Sequence, residues 1–280
     1  MIRVAVATCR GEDVDPDSPL LLAALGERGM RAELCVWDDP SVDWEAFDLT
    51  VVRSTWDYAA RRAEFLDWAR GVPRLHNPYG VIEYSSDKHY LSDVEARGHR
   101  VVASVFCDVG EDPTFPEGAF VVKPCVGAGS MDAERYGPGE YEAALQHVRA
   151  LHDKGRDALI QPYVHSVDEV GERALVFIDG RFSHAMTKGA MLNVTSLDRN
   201  ALYRREQMSL AQAEPDAVAY ALAVFEEAPF TGLLYGRVDL VRLDSGWALM
   251  ELELVEPSLF LGYDESAAGA LADAIGRRIP

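Results

Sequence analysis

A chain of 280 residues with 48% hydrophobic content can bury a real core, either as one large domain or as two or three small ones. Its 46 acids against 27 bases leave a formal charge of -19, which disfavours nucleic acid and anionic membrane as partners and obliges any anionic substrate to find a local basic pocket. No run reaches the roughly 18 apolar residues of a membrane span, and "MIRVAVATCR" carries no long apolar stretch with a small-residue cleavage site, so a cytoplasmic protein is expected.

In chain order, "RVAVATC" reads as a short buried strand. "DSPLLLAALGERG" reads as a helix capped by Ser18, with Pro19 in its first turn and Gly29 at its end. "AELCVW" and "LTVVR" are further strands, and the order strand, helix, strand, strand predicts an open, largely parallel sheet with ligands at its strand ends. The polar and aromatic loop "RSTWDY" at 53–58 then falls at such an end. A helix near 59–70, a Pro/Gly-rich connection "GVPRLHNPYG" and a helix around "SSDKHYLSDVEARG" follow. "RVVASVF", "AFVVKPC", a helix over about 139–154 and "ALIQPYV" suggest a small α+β unit. "RALVFI", the turn Asp179-Gly180 and "RFSHAMTK" form a hairpin that leads into an aperiodic loop at 189–200. Helices at "EPDAVAYALAVFEEA" and about 265–277 flank a second hairpin. Cys9, Cys35, Cys107 and Cys125 lack zinc-site spacing, and a chain of this size needs no disulfide staples, so they read as reduced core thiols.

That second hairpin is the most informative stretch. In "ALMELELVEP" side chains alternate faces, so Glu251 and Glu253 share one face while Met250, Leu252 and Leu254 take the other. Upstream, "GRVDLVRLDSGW" supplies a partner strand with Arg237, Asp239 and Val241 on one face, turning through Asp244-Ser245-Gly246. In the register of a short turn, Asp239 faces the two glutamates. An isolated acidic strand face is ordinarily just solvated. Three carboxylates close together, by contrast, repel unless a cation lies between them. A donor set of hard oxygens with no His or Cys points to magnesium, which usually keeps a phosphate as a further ligand.

A phosphate binder is available in "FVVKPCVGAGS", where Lys123 ends a strand before a loop with Gly127, Gly129 and Ser130. Glycines let backbone N–H groups approach phosphate oxygens. The loop is neither a Walker A sequence nor a Rossmann fingerprint, and alone it also reads as a strand-terminal lysine and a flexible turn.

Taken in order, Lys88, "VVKP" with its Gly-rich loop, "LIQPYV", "GERALVFIDG", Lys188, "VDLV" and "MELELVEP" resemble the ATP-grasp superfamily over nearly the whole chain. The resemblance implies mixed α/β and α+β structure in an ATP-grasp fold: an N-terminal open parallel-sheet domain over 1–85 on the substrate side, a central lid subdomain over 86–165, and a C-terminal subdomain over 166–280 with the metal site. ATP lies between the two α+β subdomains. By this resemblance Lys88 and Lys123 hold the phosphates, and Gly127, Gly129 and Ser130 belong to the loop closing over them. Gln161, Tyr163 and Val164 form a hinge whose backbone reads adenine, Glu172 holds the ribose hydroxyls, and Lys188 reaches the γ-phosphate. Asp239, Glu251 and Glu253 match the metal triad, for magnesium or manganese, although Glu253 stands where the family usually has Asn. Arg237 becomes a stabiliser of the acyl phosphate or tetrahedral oxyanion; as a simple partner of the acidic cluster it is equally well explained.

Superfamily members phosphorylate a carboxylate and let a nucleophile, often an amine, displace the phosphate. "VRSTWDY" occupies the position from which related ligases contact an amino-acid-like substrate. Arg53 is expected to take a carboxylate, Asp57 an ammonium, and Ser54, Thr55 and Tyr58 the remaining polar atoms; packing of Trp56 and Tyr58 within the loop is the other explanation. "ATCRG", "VRSTWDY" and "ELELVEPSLF" are most similar to a subgroup that includes the cyclo-ligases of D-cycloserine formation. That similarity implies closure of O-ureido-D-serine, with release of ADP, phosphate, CO2 and ammonia. An intermolecular amide ligase and a non-catalytic nucleotide-binding module stay open at this point, and a homodimer is compatible with the family.

Overall fold

The computed structural model describes residues 1–11, 15–189 and 208–279. Its first sheet is built from β1 (Arg3–Thr8), α1 (Ser18–Glu27), β2 (Arg31–Val36), β3 (Leu49–Ser54), α2 (Arg62–Gly71) and β4 (Leu75–His76). The strands are parallel in the order β2-β1-β3-β4. The central strand β1 is fully buried from Val4 to Ala7, as a parallel strand covered on both faces requires. Gly29, at φ 73°, follows the end of α1 as its sequence predicts. The helix begins differently from the expectation: Ser18 is its first residue and Asp17 its N-cap position. The Asp17 carboxylate accepts the Leu261 N–H at 2.8 Å from across the fold, and the Ser18 hydroxyl donates to Asp15 at 3.1 Å.

Next come α3 (Tyr79–Ser85) and α4 (Tyr90–Ala96). The single helix expected around 85–98 is therefore confined to its second half, and a helix stands where "NPYG" suggests connection. Asn77 fastens this region to the C-terminal part of the chain, donating to the carbonyls of Tyr235 (2.9 Å) and Leu254 (2.8 Å) and accepting from Leu234 N–H (2.8 Å).

The second sheet is antiparallel, in the order β5-β8-β6-β7. Its elements are β5 (Val105–Cys107), β6 (Phe120–Pro124), β7 (Glu134–Tyr136), α5 (Tyr141–His152) and β8 (Ala158–Pro162). Ala144, Val148 and Leu151 of α5 pack against Phe120, Val122 and Ile160.

The third region comprises α6 (Ser166–Val170), β9 (Glu172–Ile178), β10 (Arg181–Lys188), β11 (Met208–Ala211), α7 (Pro215–Glu226), β12 (Tyr235–Leu243), β13 (Gly246–Glu253) and α8 (Ala267–Arg278). Its sheet is antiparallel in the order β11-β10-β9-β12-β13. Leu175, Phe177 and Val238 on one face meet Ala217, Ala221 and Phe225 of α7. Ala174, Val176 and Tyr235 join a core with Leu21 and Leu25 of α1, Val4 and Val6 of β1, and Leu271 and Ile275 of α8. The last helix thus ties the first sheet to the third. The loop expected at 189–200 lies, from 190 onward, outside the described residues. All four cysteines are free and buried. Among the described residues no helix is long and apolar enough to cross a membrane.

Candidate active site

A cavity of about 570 Å³ is lined by residues from all three sheet regions, among them Lys88, Lys123, Glu172, Lys188, Arg237, Glu251 and Glu253. Its acidic wall is the hairpin β12–β13. Asp239 pairs with Glu251 and Arg237 with Glu253, as expected, but not through the turn alone: Leu243 lies opposite Gly246, a register that if continued would set Asp239 opposite Met250. A register shift follows, with Leu240 opposite Leu249, so Met250 is an extra residue on β13. The bulge corrects the simple alternation: Leu249, Leu252 and Leu254 enter the core, while Met250 lines the cavity beside Glu251.

Each expected metal ligand is held by a basic side chain. Lys123 Nζ donates to Glu251 Oε1 at 2.7 Å. Arg237 donates to both oxygens of Asp239, at 2.8 and 3.0 Å, and to Glu253 Oε1 at 2.5 Å. Lys188 donates to Asp239 as well and lies 4.0 Å from Glu172. Among the described residues no His/Cys/Asp/Glu group is already arranged around a metal position. Carboxyl titration follows these pairings. Burial pushes Glu251 up, but Lys123 and Lys88 overcome it and hold the carboxyl well below the usual range. Burial likewise works against Asp239, and Arg237 with Lys188 outweighs it. For Glu253 burial prevails despite Arg237. Burial raises Glu172 to about 7, against the pull of Lys188, and raises Glu256 to about 8, reinforced by Glu253. The strongly acidic chain thus gathers four basic groups, Lys88, Lys123, Lys188 and Arg237, at one cavity.

The phosphate-side residues arrive from three elements. Lys88 precedes α4 and donates to Gly127 O at 3.1 Å, which ties it to the glycine loop. Lys123 lies in β6, and the loop after it lines the cavity from Gly127 to Met131. Gly129 and Ser130 have φ 59° and 55°, a curled backbone that favours glycine at the first position. Arg156 steadies the loop, donating to Asp132 at 2.5 Å and to Val126 O at 3.0 Å.

Gln161, Tyr163 and Val164 also line the cavity. The Gln161 side chain donates to Ser104 at 2.9 Å, and the Tyr163 hydroxyl donates to Asp168 at 2.6 Å. Glu172 opens β9 directly opposite Lys188. Gly171 permits this approach: at φ 71°, a Cβ there would lie 2.5 Å from Lys188 O and 2.7 Å from Thr187 Cγ2.

The set expected to hold the substrate is divided. Tyr58 lines the cavity, together with Trp56, whereas Arg53, Ser54, Thr55 and Asp57 do not. Asp57 is engaged by Trp37 Nε1 at 2.8 Å and Arg61 at 2.6 Å, so it is no open ammonium acceptor. Ser54 shares a 2.7 Å hydrogen bond with Thr8, and Thr55 is fully buried. Arg53 is 1% exposed: it donates to Pro257 O at 3.0 Å and lies 3.8 Å from Asp15 and 3.9 Å from Asp17. It stands behind two aspartates that do line the cavity. Nothing in the sequence marks Asp15, Asp17 and Tyr90, which also line the cavity: no periodicity distinguishes the turn before α1, and Tyr90 sits in an ordinary helical pattern. Tyr90 accepts the Leu252 N–H at 2.8 Å, anchoring the acidic strand.

Residues 4–77 match the sequence family described as D-cycloserine synthetase DcsG, N-terminal domain. Over 286 aligned residues the chain is 38% identical to the cycloserine biosynthesis protein DcsG of Streptomyces lavendulae, covering 95% of both proteins. The crystal structure of D-cycloserine synthetase DcsG is similar with a TM-score of 0.89 at 35% identity, over 99% of this chain and 100% of that one. The D-alanine–D-alanine ligase from Bacillus anthracis complexed with ATP shares the fold, with a TM-score of 0.69 at 13% identity over 99% of this chain and 97% of the ligase.

Proposed function

Since the chain belongs to the D-cycloserine synthetase family of ATP-grasp ligases, we propose that it closes O-ureido-D-serine to D-cycloserine at the cavity between its sheets, consuming ATP. The observation that carries this reading is the meeting of Lys88, Lys123, Lys188 and Arg237 with Glu251 and Glu253 in one cavity, with Asp239, which does not itself line the cavity and is 1% exposed, held next to them by Lys188 and Arg237. Such a site binds polyphosphate, neutralises a phosphoryl group in transfer, and holds hard cations.

In this reading Lys88, Lys123 and Lys188 take phosphate oxygens, and the loop at 127–130 covers them. Lys123 and Lys188 then exchange their carboxylate partners for phosphate. Asp239, Glu251 and Glu253 supply only carboxylate oxygens from two paired strands, a donor set that fits magnesium, with manganese as a substitute. When bound, the metal screens charge on the phosphates. Met250, Val164 and Val167 give an apolar end for the base, and Glu172 takes the ribose hydroxyls. Arg237 faces the carboxylate as it becomes an acyl phosphate and stabilises the oxyanion formed when the ureido nitrogen attacks. Removal of the carbamoyl group by water, as CO2 and ammonia, completes the product. A cytoplasmic location suits both the ATP requirement and the four free thiols.

Product analysis tests the reaction. With O-ureido-D-serine, ATP and magnesium, one amino acid is expected to suffice, because the tethered nitrogen has a large effective concentration. The expected products are the cyclic amide, ADP and phosphate. Phosphate release only after a second amine is added, with a linear amide formed, would instead assign an intermolecular ligase. Replacing Glu172 by Ala is expected to weaken ATP binding by roughly 1–3 kcal/mol through lost charged hydrogen bonds, as read by calorimetry; unchanged affinity removes Glu172 from the nucleoside site.

A further inference from the structure

Six carboxylates line the cavity: Asp15, Asp17, Glu172, Glu251, Glu253 and Glu256. Five have a basic nitrogen within 4.0 Å. Arg53 serves Asp15 and Asp17, Lys188 serves Glu172, Lys123 serves Glu251 and Arg237 serves Glu253. Glu256 is 9% exposed, and among the described residues no ion pair or side-chain hydrogen bond to its carboxyl is found; Lys88 and Arg237 attract it only through space, while Glu253 repels it. Its own main-chain amide also assists it. Its backbone is fixed, since Trp56 Nε1 donates to Glu256 O at 3.1 Å.

A buried carboxylate with no direct ion-pair partner is costly unless a cation arrives to contact it. We propose that Glu256 is the subsite for the α-ammonium group of the amino-acid substrate, a binding role that rests on the ligase reading above. Its place fits that group. Glu256 follows Glu253 by three residues, and Glu253 pairs with Arg237, where the substrate carboxylate is activated. An α-amino acid carries its ammonium one carbon from the carboxylate, so the ammonium subsite must border the phosphoryl-acceptor position. Trp56, which holds the Glu256 carbonyl, and Tyr58 line the same cavity. Asp57, which the sequence alone suggests for the ammonium, is already paired with Arg61.

The test is calorimetric binding to enzyme loaded with ADP and magnesium, which needs no turnover. O-ureido-D-serine and D-serine are each compared with the analogue lacking the amino group, using the unaltered enzyme, Glu256→Gln and Glu256→Asp. The unaltered enzyme is expected to bind the amino forms about 10- to 100-fold more tightly, the scale of a charge-assisted hydrogen bond. Glu256→Gln should abolish that preference, weakening the amino forms while leaving the analogues and ADP unchanged, and Glu256→Asp should restore part of it. An equal loss for amino and desamino ligands in Glu256→Gln overturns the proposal. So does the absence of a preference in the unaltered enzyme, a result that stands even if a variant fails to fold. Failure of cyclisation alone would strike the reaction assignment, while a D-serine preference that depends on Glu256 would still support the subsite.

Discussion

Replacing Glu251 by Gln is expected to lower turnover by about 10²-fold or more, the scale for losing a principal electrostatic element of a transition state. Gln keeps the side-chain shape and one carbonyl oxygen but removes the charge. That charge pairs with Lys123 at 2.7 Å and lies opposite Asp239 on the paired strand. Lys123 is therefore left without its anion, and the hairpin keeps two of three charged donors. Burial raises the carboxyl and the lysines hold it low, so native Glu251 is ionised throughout the working pH range. Steady-state phosphate release with saturating ATP and substrate checks the result. Near-normal turnover would remove Glu251 from the metal assignment.

The second large effect concerns stability. Arg53→Met is expected to lower the free energy of unfolding by about 3–5 kcal/mol, because breaking a buried ionic group leaves uncompensated charge behind. Arg53 joins β3 to Pro257, 204 positions away, and its guanidinium lies within 4 Å of both Asp15 and Asp17. Burial already pushes Asp17 up, and the Arg53 charge counteracts it. Methionine fills much of the volume, so the loss reports mainly on charge and hydrogen bonding. Urea midpoints at constant slope measure it, and ATP affinity should be unaltered. A loss below about 1 kcal/mol together with a raised KM for the amino-acid substrate would return Arg53 to direct substrate contact.

Much of the framework is legible in the chain itself. The apolar runs 3–8, 31–36 and 49–54, the turn Asp179-Gly180 and the alternating hairpin 235–253 carry their own signals, because local period and turn chemistry act within a few residues. The shared face of Glu251 and Glu253 follows from alternation, but the pairing of Asp239 with Glu251 needs the bulge at Met250, because the turn register alone, Leu243 opposite Gly246, would set Asp239 opposite Met250. Short elements could not be read in advance. Seven-residue α3 and the three- and four-residue strands β7 and β11 have too few residues to show a period, and isolated segments of that length lack stability without tertiary packing.

The sequence by itself determined which residue types are present, their order, and the strand pattern that turns Glu251 and Glu253 to one side. Only the tertiary structure decided which polar groups face the cavity and which face the core. Asp57 reads as an open acid until Trp37 and Arg61 come to rest on it. Arg53 reads as a substrate clamp until Asp15, Asp17 and Pro257 enclose it. Met250 reads as core until a bulge adds one residue to β13 and turns it toward the site. In each case the deciding partner is distant in sequence or the register breaks locally. Alternation specifies a side chain's face relative to its neighbours, whereas the energy of burying a polar group depends on which donors and acceptors the completed fold brings to it.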